Sequence, residues 1–259
     1  MNPPVALTVA GTDSGGAAGT AADLATFAAL GVHGACVITA VTAQDTTGVS
    51  DIHAVPVATV EAQLHAVFDD LPVAAVKTGM LGSADAVELV ARLCAGRPLV
   101  VDPVLVATSG AVLGGEDVRR AYLDHLLPVA TVVTPNLDEA RALAGHDGSP
   151  EEIAAELASA TSAVIVTGGD PEATGTCTDW FAEPGRPPIP LTHPAVPTKN
   201  DHGTGCTYSS ALAAHLAHGA PLRDAAEQAA AYVTRQLTRS QHWTLGRGRG
   251  PIAHTKETA

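Results

Sequence analysis

The segment KNDHGTGCT, residues 199–207, leads from a polar loop into an Ala- and Leu-rich run at 209–216 that predicts a helix. Gly203 and Gly205 permit a tight turn because glycine has no Cβ. The first amides of such a helix lack intrahelical acceptors, and together with the helix dipole they favour an anion. Cys206 lies in this positive field, which is expected to favour its thiolate. The segment therefore predicts a loop that holds a phosphoryl group beside Cys206.

The same residues are also compatible with a Gly-rich loop that only caps a buried helix, with Cys206 as a small core residue. Short motifs of this kind match by chance, so the remaining sequence has to separate the two interpretations. The remaining sequence favours the phosphoryl-binding loop, because polar residues recur at regular positions along the chain.

Composition restricts both the fold and the partners. The chain has 259 residues, enough for one large domain or two small ones, and it is 46% hydrophobic but only 3% aromatic, so its core must use Ala, Val and Leu. A formal net charge of −13 argues against a nucleic-acid or anionic-membrane surface. The four cysteines have no C-x-x-C spacing, which argues against structural zinc or a disulfide framework. Without a signal-peptide pattern or a long apolar run, a cytoplasmic location is expected.

Aliphatic strands alternate with amphipathic helices along most of the chain. This alternation predicts a single α/β domain, 1–259, with a mostly parallel central sheet covered on both faces. The predicted strands are 5–10, 35–41, 74–76, 99–101, 131–133 and 163–166, and the predicted helices are 20–30, 60–68, 84–94, 118–126, 150–158, 204–218 and 222–238. The proline-rich segment 179–192 predicts an edge hairpin or loop, and residues from about 240 to 259 predict a flexible tail.

Polar and glycine residues recur where the predicted strands end. Ligands of open parallel sheets bind outside the carboxyl ends of the strands, so these residues are expected to share one rim. They lie at 11–13, 44, 77–80, 102–104, 135–139 and 167–170. The spacings of the dinucleotide fingerprint and of the Walker loop are both missing from the glycine-rich segment that follows the first strand.

Two carboxylates and two lysines in these positions suit a phosphorylated ligand. Asp102 and Glu139 offer the oxygen ligands that Mg²⁺ prefers, although acidic residues are also common at helix N-termini and beside turns. A lysine near the site can neutralise the charge of a transferring phosphate. We expect Lys199 in the Gly-rich loop to fill this role ahead of Lys77.

Two further side chains suit a flat heterocycle. Gln44 offers an amide donor and acceptor for the edge of an aminopyrimidine, and Met80 offers an apolar wall. Taken singly, each is equally compatible with an ordinary loop or core position. Gly11 and its neighbours allow the backbone to approach a ligand closely.

An ordered series of motifs resembles the ribokinase superfamily, and closely the hydroxymethylpyrimidine and phosphomethylpyrimidine kinases of thiamine biosynthesis. The series reads GTD at 11–13, GAAG at 16–19, ADL at 22–24, VTAQDT at 41–46, KTGML at 77–81, VDPV at 101–104, TPNLDE at 134–139 and TKNDHGTGCT at 198–207. The resemblance covers about residues 5 to 237. It implies a ribokinase-like three-layer α/β/α fold, ATP and Mg²⁺ as cofactors, and a homodimer.

The resemblance also implies roles for individual residues. Cys206 corresponds to the base at the substrate hydroxyl, and residues 203–205 correspond to the anion hole. The implied sets are catalytic Cys206, Gly203, Thr204, Gly205 and Lys199; substrate-binding Gly11, Asp23, Gln44, Met80 and Val104; nucleotide-binding Asn136, Thr167, Lys199 and Thr204; and metal-binding Asp102 and Glu139.

The sequence departs from the family pattern in three places. Ala17 and Ala21 replace a glycine and a glutamine in the first loop, Asp45 replaces the asparagine after Gln44, and TGGD at 167–170 replaces K-G-G-H. The last change removes a cation near the phosphates and adds a carboxylate. Phosphorylation of an already phosphorylated substrate is therefore the step that these changes affect most.

The combined expectation is ATP- and Mg²⁺-dependent phosphorylation of 4-amino-5-hydroxymethyl-2-methylpyrimidine at its primary hydroxyl, followed by a second transfer to the monophosphate. Two alternatives stay open, namely a pyridoxal or pyridoxine kinase of the same fold and a pyrimidine-binding regulatory paralogue without catalysis. A sugar kinase fits less well, because Gln44 and Met80 suit a flat ring. The expected partners are the pyrimidine, ATP and a second copy of the chain, with no nucleic acid or membrane.

Overall fold

The computed structural model describes residues 2–105, 115–168 and 175–255. The strands in these ranges are β1 (Val5–Ala10), β2 (His33–Ile38), β3 (Ala40–Asp45), β4 (Gly48–Ala54), β5 (Val73–Thr78), β6 (Leu99–Val101), β7 (Val132–Val133), β8 (Val164–Val166), β9 (Thr176–Ala182) and β10 (Ile189–Pro194). The helices are α1 (Gly19–Ala29), α2 (Val57–Asp70), α3 (Ala84–Cys94), α4 (Glu116–Ala121), α5 (Leu137–Ala144), α6 (Pro150–Leu157), α7 (Thr204–Ala217) and α8 (Leu222–Ser240). A π-helical turn, Tyr122–Leu126, continues α4.

A mostly parallel sheet runs through the centre of the molecule, as the alternation of strands and helices predicts. Its order in the described part of the chain is β10-β9-β8-β7-β6-β5-β1-β2, and the neighbours from β2 to β8 are parallel. The proline-rich segment forms the antiparallel hairpin β9–β10 at one edge, one of the two forms predicted for it. The polar residues after β1, β5, β6, β7 and β8 consequently lie along one edge of the sheet.

Helices cover both faces of the sheet, and their cores are built from aliphatic residues. Alternate residues of one strand enter opposite cores: Leu99 and Val101 pack on the side of α2 to α6, whereas Val100 packs with α1, α7 and α8. The strands are continuous apolar runs because both faces of the sheet are buried. The three-layer arrangement is therefore confirmed.

One predicted strand is divided in two, and a helix was overlooked. The run predicted at 35–41 ends as β2 at Ile38, because Thr39 leaves the sheet and its hydroxyl donates to the Met80 carbonyl at 2.6 Å. The chain then forms an antiparallel hairpin of β3 and β4 over the carboxyl edge. Helix α5, Leu137–Ala144, was not predicted, although the equally short α6 was.

The segment after α8 is packed, in contrast to the flexible tail that we predicted from about residue 240. Ile252 and Ala253 are buried, and the backbone of residues 250–252 bonds to that of residues 199–202. Gly246 and Gly248 lie so close to Thr46 that an added Cβ would come within 2.4 and 2.0 Å of its atoms. This segment, 246–252, therefore closes on the β3–β4 turn.

Among the described residues, none of the helices combines the length and the apolar character needed to cross a bilayer.

Candidate active site

A cavity of about 850 Å³ opens at the carboxyl edge of the sheet, beneath the β3–β4 hairpin and beside the start of α7. This volume is large enough for a small molecule together with part of a nucleotide. The structure brings most of the predicted site residues to its wall, namely Gly11, Gln44, Met80, Asp102, Val104, Asn136, Glu139, Thr167, Gly203, Thr204, Gly205 and Cys206. Residues from distant parts of the sequence therefore converge on one cavity.

Two predicted site residues lie elsewhere. Asp23 is fully buried beneath the cavity and accepts hydrogen bonds from Thr8 at 2.5 Å and Ser210 at 2.6 Å, so it does not face a substrate. Lys199 is exposed and lines a separate groove with Gln241 and other residues around it. Residues 201–206 line the cavity, whereas residues 197–200 line the groove, so Lys199 lies outside the cavity wall. Gly169 and Asp170 of the TGGD departure lie outside the described residues.

Lys77 supplies the buried cation that we had expected from Lys199. Its side chain is fully buried, its Nζ lies 2.9 Å from Asp23 Oδ1 and 3.8 Å from Asp102 Oδ2, and it lines the cavity. Burial opposes its charge, but Asp23, Cys206 and Asp102 outweigh that effect and raise the pKa of Lys77. Lys77 is therefore a fixed positive charge held at the floor of the cavity.

Asp102 and Glu139 both line the wall of the cavity, and the charge of Asp102 acts on Glu139. Burial raises the pKa of both carboxyls, and the charge of Asp102 raises that of Glu139 further. The Ser209 hydroxyl donates to Asp102 Oδ2 at 2.9 Å, and the backbone N–H of Asn136 donates to Glu139 Oε2 at 3.0 Å. A divalent cation would relieve this repulsion, so the donor set fits Mg²⁺. Glu139 also has the alternative role of an acidic residue at a helix N-terminus, because its side chain forms a capping box with Asn136.

Cys206 lies in the first turn of α7, as predicted, but its thiolate is not favoured. Burial raises the pKa of the Cys206 thiol to about 12. Asp102 and Asp23 raise it as well, whereas Lys77 and a hydrogen bond from the Gly19 backbone lower it. The desolvation of the thiolate outweighs the field of the helix start, which the sequence argument did not include.

The loop 203–206 is fixed against the first glycine-rich loop, residues 11–19. Gly203 has φ +88°, and a Cβ there would lie 1.8 Å from the Ala17 carbonyl oxygen, so only glycine fits. Asp13 holds the first loop in place, because its carboxylate accepts the amides of Gly15, Ala17 and Ala18 at 2.7 to 3.0 Å. The two loops therefore form one rigid cradle.

A polar chain links Gln44 to this cradle. The Nε2 of His202 lies 3.3 Å from Gln44 Nε2 and 3.4 Å from Asp13 Oδ2. Burial would raise the pKa of Asp13, but hydrogen bonds from His202, Ala18 and Gly15 hold it below its usual value. The same Nε2 can donate to Asp13 or accept from the Gln44 amide but not both, so the tautomer of His202 decides which of the two it engages. Across the cavity, Met80 lies against Gly11, where a Cβ would lie 2.4 Å from Met80 Cε.

Lys77 was ranked behind Lys199 as the phosphate-neutralising lysine, and no role was predicted for Asp13, His202 or Arg249. Lys77 is a charged residue inside an aliphatic strand, and that contrast was a signal of a buried pair. Asp13 and His202 lie in the motifs at 11–13 and 198–207, but the sequence predicted no role for either side chain. Arg249 lines the cavity and pairs with Asp201, which no local pattern indicates, since the two are far apart in sequence.

Comparisons with known proteins agree with this geometry. Residues 13–253 match the model of a family described as phosphomethylpyrimidine kinase. A hydroxymethylpyrimidine/phosphomethylpyrimidine kinase of Rhizobium meliloti is 45% identical over 258 residues, which cover 96% of each chain. The sequence similarity therefore extends over nearly the whole chain.

Solved structures share the fold. A Bacillus subtilis pyridoxal kinase in complex with ADP superposes with a TM-score of 0.87 at 32% identity over 97% of both chains. A phosphomethylpyrimidine kinase of Clostridium difficile 630 gives a TM-score of 0.76 at 31% identity, over 90% of this chain and 98% of that one. The ribokinase-like fold predicted from the motifs is thus confirmed.

Proposed function

The chain belongs to the phosphomethylpyrimidine kinase family, and from this premise we propose that it transfers the γ-phosphoryl group of ATP to the hydroxymethyl group of 4-amino-5-hydroxymethyl-2-methylpyrimidine and then phosphorylates the monophosphate. The observation that carries the proposal is the convergence of Cys206, Lys77 and the 203–206 loop on one cavity that Gln44 also lines. This activity belongs to thiamine biosynthesis.

We assign the phosphoryl-transfer chemistry to the floor of the cavity. The amides of the α7 start and the charge of Lys77 stabilise the negative charge that develops on the transferring group. In its thiolate form, Cys206 accepts the proton of the substrate hydroxyl as that oxygen bonds to phosphorus and ADP leaves. Asp102 and Glu139 would hold Mg²⁺, which supplies positive charge that neutralises phosphate oxygens. Asn136, Thr167 and Thr204 are assigned to the nucleotide.

We assign recognition of the ring to Gln44 and to the apolar residues of the cavity wall. Gln44 bonds the edge of the pyrimidine, with its amide beside the imidazole of His202. Met80 and Val104 provide apolar contacts, and Gly11 allows the ring to approach the backbone.

Turnover with purified substrates tests this function. The protein is mixed with ATP, Mg²⁺ and the pyrimidine, and ADP release is followed; the monophosphate and pyridoxal are measured in parallel. Pyridoxal is the necessary comparison, because a pyridoxal kinase shares the fold. Faster turnover of pyridoxal than of the pyrimidine would replace the assigned substrate, and tight pyrimidine binding without ADP release would favour a regulatory role.

Gln44→Ala is expected to raise the KM for the pyrimidine by about 10- to 100-fold, because a buried polar edge of the ring loses its partner. The KM for ATP is expected to change little. Steady-state kinetics with each substrate varied in turn measure both values. Gln228→Ala, an exposed glutamine on α8, is the matched control. An unchanged pyrimidine KM in Gln44→Ala would contradict this assignment.

Lys199→Ala is expected to leave kcat and the KM for ATP within about twofold, since an exposed lysine outside the cavity is screened by solvent and salt. The same assay measures the effect at two ionic strengths. A tenfold or larger loss, about 1.4 kcal/mol of transition-state stabilisation, would restore the role that the sequence alone gave to this residue.

We further propose a cytoplasmic homodimer. The β3–β4 hairpin leaves Val41 50% and Ile52 43% exposed, and apolar side chains on a projecting hairpin suit contact with a second copy. Light scattering of the wild type and of a Val41→Ser, Ile52→Ser variant would test this association.

A further inference from the structure

The hairpin of β9 and β10 brings three metal-ligating side chains together, away from the main cavity. One ligand atom from each of Cys177, Asp179 and His193 lies within 4.8 Å of the other two. His193 Nε2 lies 3.3 Å from Asp179 Oδ2. None of the three residues lines the cavity assigned to phosphoryl transfer.

The register of the hairpin explains why these side chains meet. Cys177 pairs directly with His193 across the two strands, and Asp179 follows Cys177 by two residues. Because successive strand residues alternate between faces, all three side chains point to the same face. Asp179 is fixed from the other side, since its Oδ1 accepts the Gly168 amide at 3.1 Å. The cluster is therefore held by backbone structure.

The donor set matches one class of metal. We propose that Cys177, Asp179 and His193 bind a zinc ion, with water as the fourth ligand. Zinc takes thiolate, imidazole and carboxylate ligands in a tetrahedral shell, in which neighbouring ligand atoms lie about 3.4–3.6 Å apart. The His193–Asp179 distance already has this value to within a few tenths of an ångström. Mg²⁺ prefers oxygen ligands and does not compete for such a set.

A buried polar group beside the cluster lacks a hydrogen-bond partner in the part of the chain that the structure describes. Nearby, Tyr208 of α7 is only 5% exposed, and its hydroxyl oxygen has no hydrogen-bond partner among the described residues. Burial and the Asp179 charge raise the pKa of Tyr208. A water on the zinc ion would offer that hydroxyl a partner.

Titration with Co²⁺, a spectroscopic probe for zinc, tests the site. Protein freed of metal with a chelator is expected to bind one Co²⁺ per chain with a sulfur-to-cobalt charge-transfer absorption, which Zn²⁺ removes and excess Mg²⁺ does not. Zn²⁺ at about 100 times its dissociation constant is also expected to raise the Tm by at least about 5 °C. Absence of the absorption in folded wild-type protein would overturn the proposal.

Variants identify the ligands. Cys177→Ser and His193→Gln are expected to weaken Co²⁺ binding at least about 100-fold. Cys206→Ser and Cys36→Ser are the matched controls, because neither cysteine belongs to the hairpin cluster. Cys206 lies near Asp102 and Cys36 lies on β2, so both variants are expected to keep the absorption. Retention of the absorption in Cys177→Ser, or its loss in Cys206→Ser, would place the metal elsewhere. Circular dichroism of each variant verifies that it is folded.

Discussion

Cys206→Ala is expected to lower kcat by about 10²–10⁴-fold while the KM for ATP stays within a few fold. The reason is that removal of a general base affects the proton transfer in the transition state more than it affects nucleotide binding. ADP release under saturating substrates measures kcat. Cys36→Ala, a second half-buried cysteine on β2, serves as the control. Full turnover in Cys206→Ala would remove this residue from the mechanism.

The pH dependence of kcat separates a base from a residue that only fills space. Because burial raises the thiol pKa to about 12, the thiolate fraction rises tenfold with each pH unit below that value. The kcat of the wild type is therefore expected to rise between about pH 7 and 9, and that of Cys206→Ala to be flat over the same range. A flat profile in both proteins would indicate that Cys206 acts without exchanging a proton.

The second large effect is expected on stability. Asp23→Asn is expected to lower the free energy of unfolding by about 3 kcal/mol, because it leaves Lys77 buried without its nearest counterion. For a chain of this size the corresponding fall in Tm is about 6–12 °C. Thermal and denaturant unfolding measure the two quantities independently.

An exposed ion pair provides the comparison. Glu61 lies 2.9 Å from Arg92, the same distance that separates Asp23 from Lys77, but the two side chains are 39% and 62% exposed. Glu61→Gln is expected to change the free energy of unfolding by no more than about 0.5 kcal/mol. Equal effects in Glu61→Gln and Asp23→Asn would show that burial does not set the strength of the Lys77 pair.

The convergence of the candidate site residues on one edge could be predicted from the sequence because the relevant signals are local. Each strand of the parallel sheet is a short apolar run, and the residue after it, such as Gly11 or Asp102, falls at the carboxyl edge whatever the exact strand order. The glycines of the α7 start likewise act within one turn. These features need only the backbone path of a few neighbouring residues.

The errors concern features that depend on distant parts of the chain. Lys77 and Asp23 are 54 residues apart, so their pairing cannot be read from either motif. The pKa of Cys206 depends on what the fold buries around it, and the backbone of Lys199 is held by the segment 246–252, whose Gly250 amide donates to the Lys199 carbonyl. That segment resembles a disordered tail in composition, yet it is held by contacts with residues about 200 positions earlier.

The contact between the segment 246–252 and the β3–β4 turn has a consequence for synthesis of the chain. The last strand of the sheet ends at Pro194, whereas Gly248 and Arg249 form part of the cavity wall. Because the N-terminal part of the chain leaves the ribosome first, the strands of the sheet are available before the residues that complete the wall. A ligand that stabilises the folded state by mass action therefore acts fully only on chains elongated past these residues, and shorter nascent chains must fold without its help.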